Sequence, residues 1–245
     1  MSSPSPLGEI PNDRLKRWSL LREVIAQWYA PLQVRDGIFL DELGVSLPTA
    51  LREWYALAGA RKDIWSRQGH FLHPNECRKN GDFHVFMVEN QDVVEWGIRS
   101  PDMTAEDPPV YVSSVDDPNV WQKENNTVSE FALQMFAYCL KWSDKCRWWA
   151  NAYVGPSVFE CVASTYPRLA FPEWHWPAPT RFYGLRDIIA ELETEPSHDG
   201  AWLYVVTRTA AAAEFFKGLV GPLKVEWNSW SEEWPPGWVS AAEDP

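Results

Sequence analysis

The sequence predicts an α+β protein, with N-terminal helices, a central and mainly antiparallel sheet, and helices packed back on that sheet. Three observations predict it. Apolar residues recur with helical spacing twice before residue 60, the spacing changes to strict alternation from Phe83, and no repeat or long linker divides the chain. At 245 residues, 45% apolar and 23% charged, the chain has ample material for a packed core, and disordered, collagen-like and coiled-coil classes are excluded. We therefore expect one domain over 13–245, preceded by a flexible tail over 1–12 that is rich in Pro and Ser.

The elements follow in order. Leu15, Trp18, Leu21, Ile25, Trp28 and Tyr29 stripe a helix from Asp13 that Pro31 stops. In SLPTALREWYALAG, Pro48 suits a first helical turn, Leu51, Trp54, Tyr55 and Ala58 share a face, and Gly59 ends the helix. Phe83, Val85, Met87 and Glu89 alternate with their neighbours, as do Val94, Trp96 and Ile98, so two strands flank a turn at Asn90-Gln91-Asp92. PPVYVS is a third strand, and residues 114–126 are polar loop. Thr127 and Glu130 have capping-box spacing before a helix through Leu140, ending near Ser143 or Asp144. WWANAYV and PSVFECVAS read as strands, and the Pro-rich stretch from Thr165 to Gly184 as a surface connection. The last third reads as a helix over Leu185 to Leu192, a strand over Ala201 to Thr207, a helix over Ala210 to Leu219 and a strand near Leu223 to Trp227.

Charge restricts the partners. With 34 acids against 22 bases the net charge is −12, which repels nucleic acid and anionic lipid. Eight of the acids, Glu89, Asp92, Glu95, Asp102, Glu106, Asp107, Asp116 and Asp117, fall in one stretch where Arg99 is the sole base. That stretch is the candidate partner-binding region, able to steer a basic protein into contact. No apolar run is long enough to cross a membrane, and the N-terminus lacks a secretory signal, so the expected compartment is the cytoplasm. Cys77, Cys139, Cys146 and Cys161 contain no CxxC pair and read as reduced thiols. Sixteen Trp scattered along the chain read as core residues, except Trp227, Trp230, Trp234 and Trp238, a terminal run broken by Pro235 and Pro236 whose indoles clamp onto the domain.

Motifs for chemistry are sparse. GxGxxG, Walker A, HExxH, GxSxG and EF-hand patterns are absent. His70, His73 and Cys77 have metal-like spacing without a fourth ligand, so neither a metal nor another cofactor is expected. Glu89 and Glu95 flank the turn at 90–92 symmetrically and could form the close carboxylate pair of a glycosidase beside Trp platforms, which is the alternative, enzymatic reading.

Four segments in order, LPTALREWYALAGA, VFMVENQDVVEWGI, DPPVYV and TVSEFALQMFAY, resemble the SUKH superfamily, the group related to the yeast cell-wall assembly regulator. The residues carrying the resemblance are Asn90, Gln91 and Trp96, followed by Asp107, Pro108, Pro109 and Val110. The match is clearest over 47–138, and the extension over 180–245 is similar to the tail of bacterial members. The resemblance implies an α+β protein-binding scaffold without catalytic residues, in bacteria commonly an immunity protein that neutralises a polymorphic toxin, often a nuclease or a nucleic-acid deaminase. It equally allows a regulatory scaffold with no toxin partner, and it leaves the oligomeric state open.

Overall fold

The structure is a computed structural model and describes residues 3–38, 46–143, 146, 148–194 and 199–231. It is α+β, but the strands form two antiparallel sheets where the sequence suggested one. The chain divides into two compact units, Pro11–Ser143 and Met1–Ile10 with Asp144–Pro245. The segment expected as a free tail contributes to the second unit. Pro4 bridges Leu185, Ala170 N donates to Leu7 O (3.1 Å), and Leu7 is 1% exposed. Burial of Leu7 and backbone pairing at Ser3, Pro4 and Leu7 together anchor the segment.

In the first unit, α1 (Arg14–Trp28) begins at Asp13, whose Oδ1 accepts from Lys16 N (2.9 Å). Trp18, Leu21, Ile25 and Trp28 are buried as their spacing predicts. Leu15 is not. It shares their period but stands at the helix start, 60% exposed. α2 (Thr49–Ala58) buries Leu51, Trp54, Tyr55 and Ala58, and a short α3 (Lys62–Trp65) follows. The strands are β1 (Gly69–Phe71), β2 (Arg78–Asn80), β3 (Phe83–Glu89), β4 (Val94–Arg99), β5 (Val110–Ser114) and β6 (Gln122–Asn125), ordered β1-β3-β4-β5-β6 with β2 sharing the β1 edge of β3. α4 (Val128–Cys139) packs against α1, α2 and α3 and is buried along its whole length apart from Glu130.

An aromatic cluster forms this unit's core. Trp54 stacks on Phe71 with ring centroids 4.4 Å apart and meets Trp65, Phe86 and Phe131 edge-on. Such contacts add about 0.5–1.5 kcal/mol per pair beyond burial. The opposite face of the sheet buries Leu72, Val85 and Val88 under Cys77 and Trp121. Trp121 stacks on Phe83 (4.1 Å) and crosses Gly97, where a Cβ would lie 3.2 Å from the indole.

The second unit contains β7 (Trp148–Val154), α5 (Pro156–Thr165), β8 (Thr180–Leu185), β9 (Ile188–Thr194), β10 (Ala201–Thr207), α6 (Ala210–Val220) and β11 (Ser229–Trp230), with sheet order β11-β7-β10-β9-β8. Ala150, Ala152, Val154, Leu203, Val205 and Leu192 point into a core completed by Val158, Val162, Ala213 and Phe216.

Four expectations are corrected here. PSVFECVAS is helix α5, because Gly155-Pro156 opens a helix and Val158 and Val162, four residues apart, supply its buried stripe. Residues 185–192 form the turn and return strand of the β8–β9 hairpin, with both faces of β9 buried, so its apolar run imitates a helix. The Pro-rich connection is anchored by Tyr166, Leu169, Phe171 and Trp174, all at most 5% exposed. Residues 221–223 form a 3-10 turn, and the final short strand comes later, at Ser229–Trp230. Trp227 is buried in the second core and Trp230 packs against it, while Trp234 and Trp238 lie outside the described residues.

Candidate functional site

Strand direction decides where the eight acids go. β4 pairs antiparallel with both β3 and β5, so the β3–β4 turn and the β5–β6 loop emerge side by side, joined by Val115 N donating to Val93 O (3.0 Å). The link from β4 to β5 leaves from the opposite end, about 17 Å away for a six-residue strand. The linear acidic stretch is therefore split between two ends of one sheet.

At the first end Asp92, Asp116 and Asp117 are exposed, and none of the three forms an ion pair among the described residues. Asp92 has φ 58°, a left-handed conformation that Asp tolerates in turns, and its N–H donates to Glu89 O (2.9 Å). Asp116 N donates to Ser114 Oγ (3.3 Å), Asp117 N to Ser114 O (3.1 Å), and Val120 N to Asp117 O (3.0 Å), two successive turns that hold the loop. Beside these acids, Val115 and Val120 are 46% and 57% exposed. The result is an anionic tip with two bare aliphatic side chains.

Glu89, expected among the partner-binding acids, is withdrawn from it. It is 1% exposed, with Gln68 Nε2 donating to Oε1 (2.8 Å) and Gln91 N to Oε2 (2.7 Å), so its carboxylate braces the hairpin. Glu95 accepts from Arg78 and from Asn80 Nδ2 and is likewise engaged within the sheet. The register places Glu95 opposite Val88, so Glu89, one residue on, projects from the other face. The proposed carboxylate pair does not form.

At the second end Asp102 pairs with Arg99 (3.3 Å). Glu106 is open, its side chain 81% exposed and 3.7 Å from Arg14. Asp107 belongs to a mostly buried polar hub. Its Oδ1 accepts from Ser129 N (3.0 Å) and its Oδ2 from Ser129 Oγ (2.5 Å), and Arg17 stands 3.5 Å away. Arg17 also donates to Pro11 O, Thr127 Oγ1, Ser129 Oγ and Glu130 Oε1. The capping box is consequently half made. Thr127 Oγ1 accepts from Glu130 N (3.2 Å), while the Glu130 carboxylate turns to Arg17.

The residues that carry the family resemblance hold the fold. Asn90 Nδ2 donates to Arg67 O (3.0 Å), Gln91 lends its N–H to Glu89, Trp96 is 1% exposed beside Phe131, and Pro108 is buried with Pro109 partly so before β5. His70, His73 and Cys77 do not converge. His73 caps a 3-10 turn (Pro74–Glu76), Cys77 Sγ lies 3.5 Å from Tyr55 Oη, and no group of three possible ligands occurs among the described residues. Burial pushes the Cys77 thiol up. All four cysteines are free thiols.

Sequence reasoning missed Val115, Val120, Arg17 and Gln68. Arg17 alone had a usable signal, since it keeps helical register with Leu21, Val24 and Trp28, where a cation must find buried acceptors. No family model, curated protein or solved structure matches the chain. No helix among the described residues is long and apolar enough to cross a membrane.

Proposed function

We propose that this is a protein-binding module of the SUKH type, a cytoplasmic immunity protein that covers the surface of a basic, nuclease-type toxin and performs no bond-making chemistry. The observation that carries the reading is the anionic tip, where Asp92, Asp116 and Asp117 stand without ion-pair partners among the described residues beside exposed Val115 and Val120. Unpaired carboxylates draw a cationic surface in and quicken encounter, and apolar side chains among them supply area to desolvate once contact is made. A toxin that grips nucleic acid presents the complementary charge. The glycosidase alternative has lost its one specific support, the Glu89–Glu95 pair.

The test is neutralisation. Co-expression with the protein encoded by the adjacent gene should relieve its toxicity, and the two should copurify. Replacing Val115 and Val120 together by Ser, which removes the apolar area without adding charge, should weaken the complex by at least about tenfold while leaving the fold intact. A toxic neighbour that is neither bound nor neutralised would overturn the reading.

A further inference from the structure

We propose that the groove between α1 and α2 is a second binding site, which takes an amphipathic helical segment of a partner carrying a carboxylate beside its apolar face. This inference does not rest on the anionic tip, and it invokes the opposite charge.

The groove encloses about 500 Å³. Leu15, Trp18 and Arg22 line it from α1 at helical spacing, Leu57 lines it from α2, and Leu32 and Val34 close it from the connecting segment. Its aliphatic rim is open, with Leu15 60% and Val34 81% exposed. This wall is built in advance. Gln33 N donates to Asp36 Oδ2 (2.8 Å), Asp36 pairs with Arg61 (3.6 Å), Ile38 N donates to Tyr55 O (2.8 Å), and Gly37 lies so close to Ala56 O that a Cβ there would collide.

Charge selects the occupant. The acid in the groove, Glu53, is already compensated, because Oε2 accepts from Arg14 (2.7 Å) and from Trp18 Nε1 (2.6 Å). Arg22 has no ion-pair partner among the described residues, and the neighbouring acid Glu23 accepts from Gln27 instead. An apolar trough flanked by Arg22, whose guanidinium has no ion-pair partner among the described residues, is complementary to apolar side chains accompanied by an anion. Rims that project beyond the cavity fit a helix laid along them better than a small molecule sunk within it.

The probe is a synthetic amphipathic helix with leucines on one face and a glutamate beside them, titrated into the full chain and followed by calorimetry and by the Trp18 indole N–H resonance. Its twin carries lysine for the glutamate. The acidic peptide should bind with a shift at Trp18, at least about tenfold more tightly than the twin, and Arg22→Glu should reverse that preference. Leu15→Asp and Val34→Asp should abolish binding. Both positions are exposed, so thermal melts should be unchanged. Failure to bind, equal affinity for the twins, indifference to Arg22→Glu, or a small anionic amphiphile that occupies the groove and that the peptide cannot displace would each overturn the proposal. Loss of the anionic tip by charge reversal leaves this experiment unaffected, so the two readings fail separately.

Discussion

Arg17 is the residue on which the charge balance of the first unit turns. Its side chain is 7% exposed, and it faces Asp107 and Glu130 while donating to two hydroxyls and a carbonyl. Breaking a buried pair from one side strands the remaining charges, so Arg17→Met should cost about 3–5 kcal/mol in urea denaturation. Asp107→Asn, which keeps an acceptor for Ser129 N–H, should cost less. Three tyrosines give a second residue-scale prediction. Burial, with Glu193 and Glu191 nearby, pushes the Tyr204 phenol up to about 12, and burial also raises Tyr55 and Tyr166. An unfolded tyrosine ionises near pH 10, so the fold holds these groups protonated where the unfolded chain has lost the proton. Their contribution is therefore whole below pH 10 and falls as pH climbs above it, for Tyr204 over about 10 to 12 and for the other two still further. Absorbance at 295 nm should show Tyr55, Tyr166 and Tyr204 titrating late, and Tyr204→Phe should flatten part of the alkaline loss of stability. Ionisation of these three near pH 10 in the folded protein would contradict this.

Among the elements, α4 shows how local and distant contacts combine. Thr127→Ala removes the cap to Glu130 N and an acceptor for Arg17, and should cost about 1–2 kcal/mol. Glu130→Ala should cost more than a surface residue at a helix start, because its carboxylate serves Arg17. Thermal melts of the two variants check both. The same contrast explains what was legible in sequence. α1, α2, β3, β4, β5, α4, β7, β10 and α6 each carry a clear period or cap, and each is where the sequence places it. β1, β2 and β6 have three or four residues, too few for alternation to register, and exist because β3 and β5 offer edges. β9 shows no period in sequence because both its faces are buried, and α5 carries its helix signals, Gly155-Pro156 and the Val158–Val162 pair, inside a short apolar run that also suits a strand. The acids were readable as a list but not as a surface, since antiparallel strands carry neighbours in sequence to opposite ends of a sheet.

In the whole molecule, the second unit is discontinuous, with residues 11–143 intervening between its N-terminal strip and the remainder. No pattern within ten residues announces that. Leu7→Ala should lower the stability of the second unit by about 2–5 kcal/mol and leave the first unit unchanged, read as peptide-resolved hydrogen exchange. Equal loss in both units would contradict the division. Charge is also organised at this scale, with the tip at one end of the first sheet left anionic and the exposed acids Asp82 and Glu106 at the other. The most direct test of the central claim is the association rate between this chain and the protein encoded by the adjacent gene, measured across ionic strength. With Asp92, Asp116 and Asp117 changed to Lys, the rate at low salt should fall at least about tenfold and lose its salt dependence, whereas Glu106→Lys should change it little. Equal rates for the wild type and the triple variant at every ionic strength would contradict recognition through the anionic tip.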